Sequence, residues 1–235
     1  MTYPTPEGIN AFSIGKDDSF PLTEDGSFMP PEGAWGVALP RQVHSARVEW
    51  VREACRPADT DAVITDVAGL CVAVKTADCV PILIYNDAAC SRTTVGSTIG
   101  RPAVAAVHAG WKGTVSRIVQ CTLHEMQRGG AIASARECHA IIGPAIAQES
   151  FEVGDEVYEA FREAAFPMTR IAVRREKWHI DLWEANRYLL EEMGVRDIYV
   201  AGIDTKKSPD WYSARRETIR TGRNYNAIFF LPPLM

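Results

Sequence analysis

The chain has 235 residues, an apolar fraction of 46% and a formal net charge of −5. These values allow one large domain or two small ones, of which we favour one, and they argue against a nucleic-acid partner, because such binding depends on clustered lysine and arginine. No run approaches the roughly 18 apolar residues of a membrane-spanning helix, and the first residues lack the pattern of a signal peptide, so we expect a cytoplasmic protein with no membrane partner.

The first 35 residues differ from the rest of the chain. Residues 1–35 are rich in Pro, Gly, Ser and Asp without a clear period, which predicts an irregular lead with short extended pieces that belongs to the same domain as residues 36–235. Extended runs follow at residues 47–51, 62–65, 70–74 and 80–85. Several of these runs are apolar throughout, which is typical of strands covered on both faces.

The middle of the chain alternates between strand and helix patterns. Residues 86–101 are polar and predict a surface excursion, and residues 103–108 return to a strand pattern. A helix is predicted next, capped by Thr114 and ended by Gly129 and Gly130. His108 would then close a strand and face a helix N-terminus, a place where ligands of α/β sheets tend to bind.

The second half repeats this alternation. A strand at residues 139–142 precedes a helix from about Asp155, and a second helix begins after Asp181, with Glu184 completing a capping box and Gly194 as the C-cap. Strands at residues 198–201 and 227–231 would complete the sheets. The alternation predicts an α/β fold.

Cysteine and histidine placement suggests chemistry. Six cysteines without an export signal or a CxxC pair predict free thiols, and Cys71 and Cys121 fit buried packing positions. His44, Cys79 and His108 lie at the edges of predicted strands, and three N/S ligands would leave a fourth metal position open, as in catalytic zinc sites. Their separations, 35 and 29 positions, are unlike those of structural zinc modules. Two hydrogen-bonded histidines and a buried thiol are therefore the alternative.

Several long motifs carry a resemblance to a known family. Over roughly residues 40 to 230 the chain resembles the YfiH family, whose members are described as multicopper polyphenol oxidases (laccase-domain proteins) and as purine nucleoside phosphorylases. The motifs are TADCVPIL, VHAGWKGT, IIGPAIAQESFEVGDEV, DLWEAN, WYSARR and TGR. The resemblance implies a single α/β (α+β) domain of mixed sheets layered with helices, with residues 36–235 as its YfiH-like catalytic part.

The resemblance also implies a site and an activity. Family members bind one zinc ion through the histidines of QVH and HAGW and the cysteine of TADC, which correspond here to His44, His108 and Cys79; copper is the alternative metal. The implied reactions are phosphorolysis of adenosine, inosine, guanosine and methylthioadenosine, and deamination of adenosine. The implied partners are a purine nucleoside and phosphate, in a monomer or a homodimer.

Other residues receive roles from their chemistry. Lys112, Arg215 and Arg216 are candidate phosphate contacts, with solvated or structural ion pairs as the alternative. Asp78 would act beside the catalytic Cys79, either as a proton shuttle or as an orienting group. Gln42 would bind substrate or hold the loop before His44.

Two departures from the family pattern affect these expectations. Relatives often carry an Asn-Arg pair upstream of the QVH motif, which this sequence lacks, so an anionic contact made by that arginine is in doubt. Relatives also often carry cysteine where this chain has Asp204, which predicts a differently shaped pocket.

Four hypotheses follow from the sequence. The first is a zinc-dependent purine nucleoside phosphorylase with adenosine deaminase activity. The second is a copper polyphenol oxidase, although five scattered histidines are few for several coppers. The third is a hydrolase of peptidoglycan precursors that uses a metal or a Cys79 nucleophile. The last is a metal-stabilised binding protein without turnover.

Overall fold

The computed structural model describes residues 1–16, 29–90 and 100–232. The strands are β1 (Ile9–Ile14), β2 (Gly36–Ala38), β3 (Val48–Trp50), β4 (Ala62–Thr65), β5 (Leu70–Thr76), β6 (Val80–Asn86), β7 (Val104–Ala109), β8 (Cys138–Ile142), β9 (Glu152–Val153), β10 (Ala172–Arg174), β11 (Trp178–Ile180), β12 (Asp197–Val200) and β13 (Asn224–Phe230). The helices are α1 (Asp87–Cys90), α2 (Trp111–Val115), α3 (Ile118–Arg128), α4 (Asp155–Glu163), α5 (Met168–Ile171), α6 (Leu182–Met193) and α7 (Ala214–Glu217).

Two large sheets organise the fold. Among the described residues, one sheet has six strands in the order β12-β8-β6-β7-β4-β3, and another has four in the order β1-β13-β5-β2. Both are mixed: β3 pairs with β4 in parallel whereas β6 and β7 are antiparallel, and β2 is parallel to β5 whereas β13 is antiparallel to it. A small sheet of β10, β11 and β9 accompanies them. The prediction of a mixed α/β fold is confirmed.

The six-stranded sheet is covered on both faces. In β6, Ile82 and Ile84 join the core that includes residues of α3 and α6, whereas Leu83 and Tyr85 join the core shared with β5 and β13. Successive side chains of a strand point to opposite faces, so β6 is apolar throughout because helices cover one face and the second sheet covers the other.

Most predicted helix ends are correct, and one is wrong. Helix α3 ends at Arg128 before Gly129, and Gly194 ends α6 in the left-handed region with φ 97°. Asp181 caps α6 by accepting from the Glu184 N–H, although Glu184 pairs with Arg170 instead of closing the capping box. Thr114 caps no helix: it is buried inside α2, where its hydroxyl accepts from Asn186.

Thr114 is not a helix cap because the predicted helix starts earlier and is divided into two. Helix α2 begins directly after Gly110, and Arg117 then adopts φ 60° and separates α2 from α3. The apolar period runs through both helices, so it does not reveal this break.

Two weakly patterned regions lie partly outside the described residues. In the lead, residues 17–28 are outside, but β1 is a six-residue strand that pairs with β13 along its whole length. Short extended pieces are expected in the lead, but without a sequence period the position and length of β1 are not predicted, because the strand forms through its distant partner β13. Of the expected surface excursion, Asp87–Cys90 forms α1, and residues 91–99 are outside the described ranges.

Two further observations bear on the expectations from composition. No helix in the described part of the chain is long and apolar enough to cross a bilayer. All six cysteines are free; Cys71 is buried as predicted, whereas Cys121 is only half-buried.

Helix α3 provides a stability test. Leu123 is fully buried against the six-stranded sheet, and the adjacent His124 is exposed. We expect Leu123→Ala to lower the free energy of unfolding by about 2–5 kcal/mol, because it removes buried methyl groups and leaves a cavity. His124→Ala is the matched control and should change it by less than about 0.5 kcal/mol. Urea unfolding of both variants checks this, and equal effects would contradict the packing of α3.

Candidate metal centre

Three residues from separate parts of the chain meet at one end of the two large sheets. His44 lies in the loop between β2 and β3, Cys79 lies where the chain crosses from β5 in one sheet to β6 in the other, and His108 is in β7. One ligand atom from each lies within 4.8 Å of the others. Cys79 Sγ is 3.8 Å from His44 Nε2, and the two imidazoles are in edge-to-face contact with centroids 4.8 Å apart.

Asp61, which the sequence reading missed, holds this arrangement together. Its carboxylate is fully buried, and Oδ1 accepts from His108 Nδ1 at 2.8 Å. The same carboxylate accepts the backbone N–H groups of Val43, His44 and Ser45 at 3.1, 2.9 and 2.7 Å. Successive N–H groups turned towards one anion form a concave nest. One side chain therefore fixes both the loop of His44 and the ring of His108.

The backbone of His44 shows why that loop needs support. His44 has φ 63°, in the left-handed region that non-glycine residues rarely adopt. Ser45 Oγ adds a further bond to Asp61 at 2.7 Å. Burial alone would raise the pKa of Asp61, but the bonds from His108 and Ser45 outweigh it and hold the pKa well below its usual range. The carboxylate therefore stays charged and keeps all these donors.

Cys79 differs electrostatically from the other cysteines. Burial would raise its pKa, but the neighbouring His108 and His44 lower it to about 6. The pKa of His108 rises to about 9, because Cys79 and Asp61 outweigh its burial. The remaining thiols all have raised pKa values, chiefly through burial: Cys55, Cys71, Cys90, Cys121 and Cys138. Without a metal, Cys79 and His108 therefore form a thiolate–imidazolium pair near neutral pH.

The donor set fits a transition-metal ion. Two imidazoles and one thiolate are ligands that zinc accepts, and three protein ligands leave a position for water or substrate. The Asp61 bond occupies Nδ1 of His108 and leaves the other ring nitrogen for Cys79 or a metal, the arrangement that orients metal-bound imidazoles. Gly110 leaves room for the group, since a Cβ there would lie 2.9 Å from His44 Cδ2 and 3.1 Å from Cys79 Sγ. Copper is compatible with the same donors.

A cavity of about 780 Å³ opens over these residues. It is large enough for a nucleoside-sized ligand. Its lining is Arg41, Gln42, His44, Lys75, Thr76, Ala77, Asp78, Cys79, His108, Trp111, Ala214, Arg215, Ile219 and Arg223.

Asp78 and Gln42 line this cavity, but their polar atoms are already engaged. Asp78 accepts from Thr205 Oγ1 and from the Arg215 N–H, both at 2.7 Å, and has φ 91°. Gln42 donates to the carbonyl of Lys75 at 2.7 Å and accepts its N–H at 2.8 Å. Asp78 thereby joins its turn to Thr205 and to α7, and Gln42 joins the loop of His44 to β5.

The three predicted phosphate contacts have different positions. Arg215 lines the cavity and donates to the Glu152 carbonyl at 2.8 Å. Arg216 is outside the lining and donates to the carbonyls of Thr205, Lys206, Ser208 and Trp211, so it holds the loop before α7. Lys112 is also outside the lining, with its ammonium over the Trp111 ring.

Asp204 does not line the cavity either. Its carboxylate accepts from Ser150 Oγ at 2.5 Å and from the Ala147 N–H at 3.3 Å. It therefore shapes the late loop from outside the pocket.

The sequence reading also missed three cations of the lining: Arg41, Lys75 and Arg223. Arg41 immediately precedes the QVH motif and Arg223 ends the TGR motif, so their positions in the motifs were the available signals. Lys75 lies in an otherwise apolar strand, and an isolated lysine there was the only hint.

The role of Asp61 can be tested through metal affinity. We expect Asp61→Asn to weaken zinc binding about 10- to 100-fold, because an amide cannot supply the charge that orients His108. Competition with a chromophoric chelator measures the affinity, and thermal unfolding of the same samples shows that the variant is folded.

Asp59→Asn is the matched control, since Asp59 is exposed two residues away and has φ 52°, which asparagine tolerates. It should bind zinc like the wild type. Equal affinity in Asp61→Asn would contradict the orienting role of Asp61.

The chain is similar in sequence and in fold to several known proteins. The chain is 39% identical over 223 residues to a purine nucleoside phosphorylase of Bacteroides thetaiotaomicron, covering 88% of this chain and 76% of that one. It is 37% identical over 209 residues to adenosine deaminase RL5 of an unknown prokaryotic organism, covering 82% and 74%. The crystal structure of the Bacillus licheniformis hypothetical protein YfiH superposes with a TM-score of 0.69 at 27% identity, covering 83% and 74%.

These matches confirm the resemblance to YfiH. The family described as multi-copper polyphenol oxidoreductase laccase matches residues 30–231, which include all three members of the candidate metal centre. The chain belongs to this family.

Proposed function

We propose that the protein is a zinc-dependent enzyme of purine nucleosides, which cleaves adenosine, inosine, guanosine and methylthioadenosine by phosphorolysis and also deaminates adenosine. The observation that carries this proposal is the position of His44, Cys79 and His108 at the floor of a nucleoside-sized cavity with cationic walls. Relatives named purine nucleoside phosphorylase and adenosine deaminase support it.

The two reactions place different demands on the cavity. In phosphorolysis, a phosphate oxygen bonds to the anomeric carbon of ribose, the bond from that carbon to the purine nitrogen breaks, and the purine leaves with a proton. In deamination, water replaces the amino group of adenosine, which leaves as ammonia. Zn²⁺ would supply Lewis-acid chemistry for activating water. Cationic side chains would hold the phosphate, and Trp111 offers an aromatic surface for the base.

The residues of the chain have separate tasks in this scheme. Asp61 keeps His108 in one tautomer and holds His44 in place. We assign Asp78 a positioning role, because its two carboxylate oxygens accept from Thr205 and from the first turn of α7. Through that bond Asp78 ties the Cys79 turn to the backbone of Arg215, whose side chain lines the cavity.

Incubation of zinc-loaded protein with adenosine tests the proposal. We expect adenine to appear only when phosphate is present, and inosine to appear with or without it, as separated by liquid chromatography. Chelation of the metal should stop both reactions.

Cys79→Ala should abolish both activities through loss of a metal ligand. Cys121→Ala is the matched control, because this half-buried thiol lies on α3 away from the cavity lining, and it should retain both activities. Adenosine left intact by zinc-loaded wild-type protein would refute the proposed function.

A cysteine-dependent hydrolase is the second candidate. The lowered pKa of Cys79 beside His108 is also what a nucleophilic cysteine requires. In that case peptidoglycan precursors would be hydrolysed after metal removal, and alkylation of Cys79 would stop the reaction. Survival of activity under chelation separates this candidate from the first.

The positions of the histidines give less support to the copper polyphenol oxidase that the family description suggests. Besides His44 and His108, His139 is bonded to Asp87 and Asp197, His179 is bonded to the Gln148 carbonyl, and His124 is exposed on α3. Within the described ranges one group of three metal ligands is found, whereas multicopper oxidation needs several coppers. Oxygen uptake with a phenolic substrate would test this alternative.

A further inference from the structure

The cavity above the metal centre differs in charge from the rest of the molecule. The chain carries a formal net charge of −5, yet four cations line this cavity: Arg41, Lys75, Arg215 and Arg223. The single carboxylate in the lining, Asp78, has both oxygens occupied. A cationic pocket on an acidic protein favours an anionic ligand at this place.

The four cations are not equally available. Arg215 donates to the Glu152 carbonyl and stacks over Phe151, and Arg223 donates to the carbonyls of Ile219, Thr221 and Gly222. Lys75 and Arg41 differ from them, because within the described residues neither side chain has a hydrogen bond or an acidic partner. These two are the cations free to bind a ligand.

Of these two cations, Lys75 has the surroundings that more clearly favour an anionic ligand. It is half-buried at the end of β5, four residues before Cys79, where burial and the nearby Arg56 and Arg223 lower its pKa. A half-buried ammonium without an anion is costly, and an arriving anion would relieve that cost. Its backbone is clamped by Gln42, two residues before His44, so the strand bearing Lys75 is joined to the loop of a metal ligand.

We infer that Lys75 and Arg41, which line the cavity together with Arg223, form the subsite for inorganic phosphate beside the His44–Cys79–His108 centre. This inference rests on the proposed function for the role of the phosphate as co-substrate. It replaces Lys112 and Arg216, which lie outside the cavity lining, as the phosphate-binding side chains. An ammonium and a guanidinium that line one cavity can both donate to the oxygens of a phosphate dianion.

The test measures binding of inorganic phosphate to the zinc-loaded full chain by titration calorimetry, without a nucleoside. We expect Lys75→Met and Arg41→Gln each to weaken phosphate binding about tenfold or more, since each removes a charge-assisted hydrogen bond. Lys75→Arg, which keeps the charge, should restore most of the affinity. Lys206→Gln is the matched control, because Lys206 is exposed and outside the lining, and it should bind phosphate like the wild type.

Measuring the zinc content and the unfolding midpoint of each variant shows whether its site is intact. If Lys75→Met does not fold, Arg41→Gln provides an independent test, because Arg41 is exposed. Wild-type affinity in both variants would overturn the subsite, as would failure of the wild-type protein to bind phosphate. Binding of adenosine monophosphate through these residues, with no binding of inorganic phosphate, would also overturn it.

The outcomes separate the subsite from the proposed function. Phosphate binding that depends on Lys75 and Arg41, in a protein that converts no nucleoside, would support the subsite and refute the function. Phosphorolysis with a phosphate KM that does not respond to either substitution would support the function and refute the subsite.

Discussion

The candidate centre depends on one buried carboxylate. Asp61 accepts from His108 and from three successive backbone N–H groups around His44, so a single anion joins a strand of the six-stranded sheet to a loop in a strained conformation. Burying a charge is costly unless hydrogen bonds replace its hydration, and here the replacement is complete enough to keep the carboxylate ionised. The geometry of two of the three candidate ligands, His44 and His108, follows from that requirement.

The third ligand depends on the way in which the two large sheets are connected. The chain leaves β5 in one sheet and enters β6 in the other within the turn that carries Asp78 and Cys79. Asp78 adopts φ 91° in this turn and is held by Thr205 and the start of α7. The sheet crossing, the position of Cys79 and the part of the cavity lining at the start of α7 therefore belong to one local structure.

The cations that line the cavity contrast with the negative net charge of the whole chain. Among the described residues, four cations line the cavity that contains Cys79, His44 and His108. Arg216, which the sequence motifs suggest as a ligand contact, instead donates its hydrogen bonds to backbone carbonyls. A guanidinium satisfied by four carbonyl groups is a structural support. Within the described ranges the Lys75 side chain, in a largely apolar strand, lacks such partners and by contrast suits a ligand.

The sequence by itself determined the family, the buried strands, the helix ends at Gly129 and Gly194, and the residue types that could hold a metal. Those properties follow from local periodicity, turn chemistry and motif identity, which a single chain displays. Only the tertiary structure decided that His44, Cys79 and His108 meet, that Asp61 joins two of them, and that β1 pairs with β13. It also showed that Lys75 and Arg41 line the cavity whereas Lys112 and Arg216 do not. Contact and burial depend on which distant segments fold together, and spacing along the chain does not encode that.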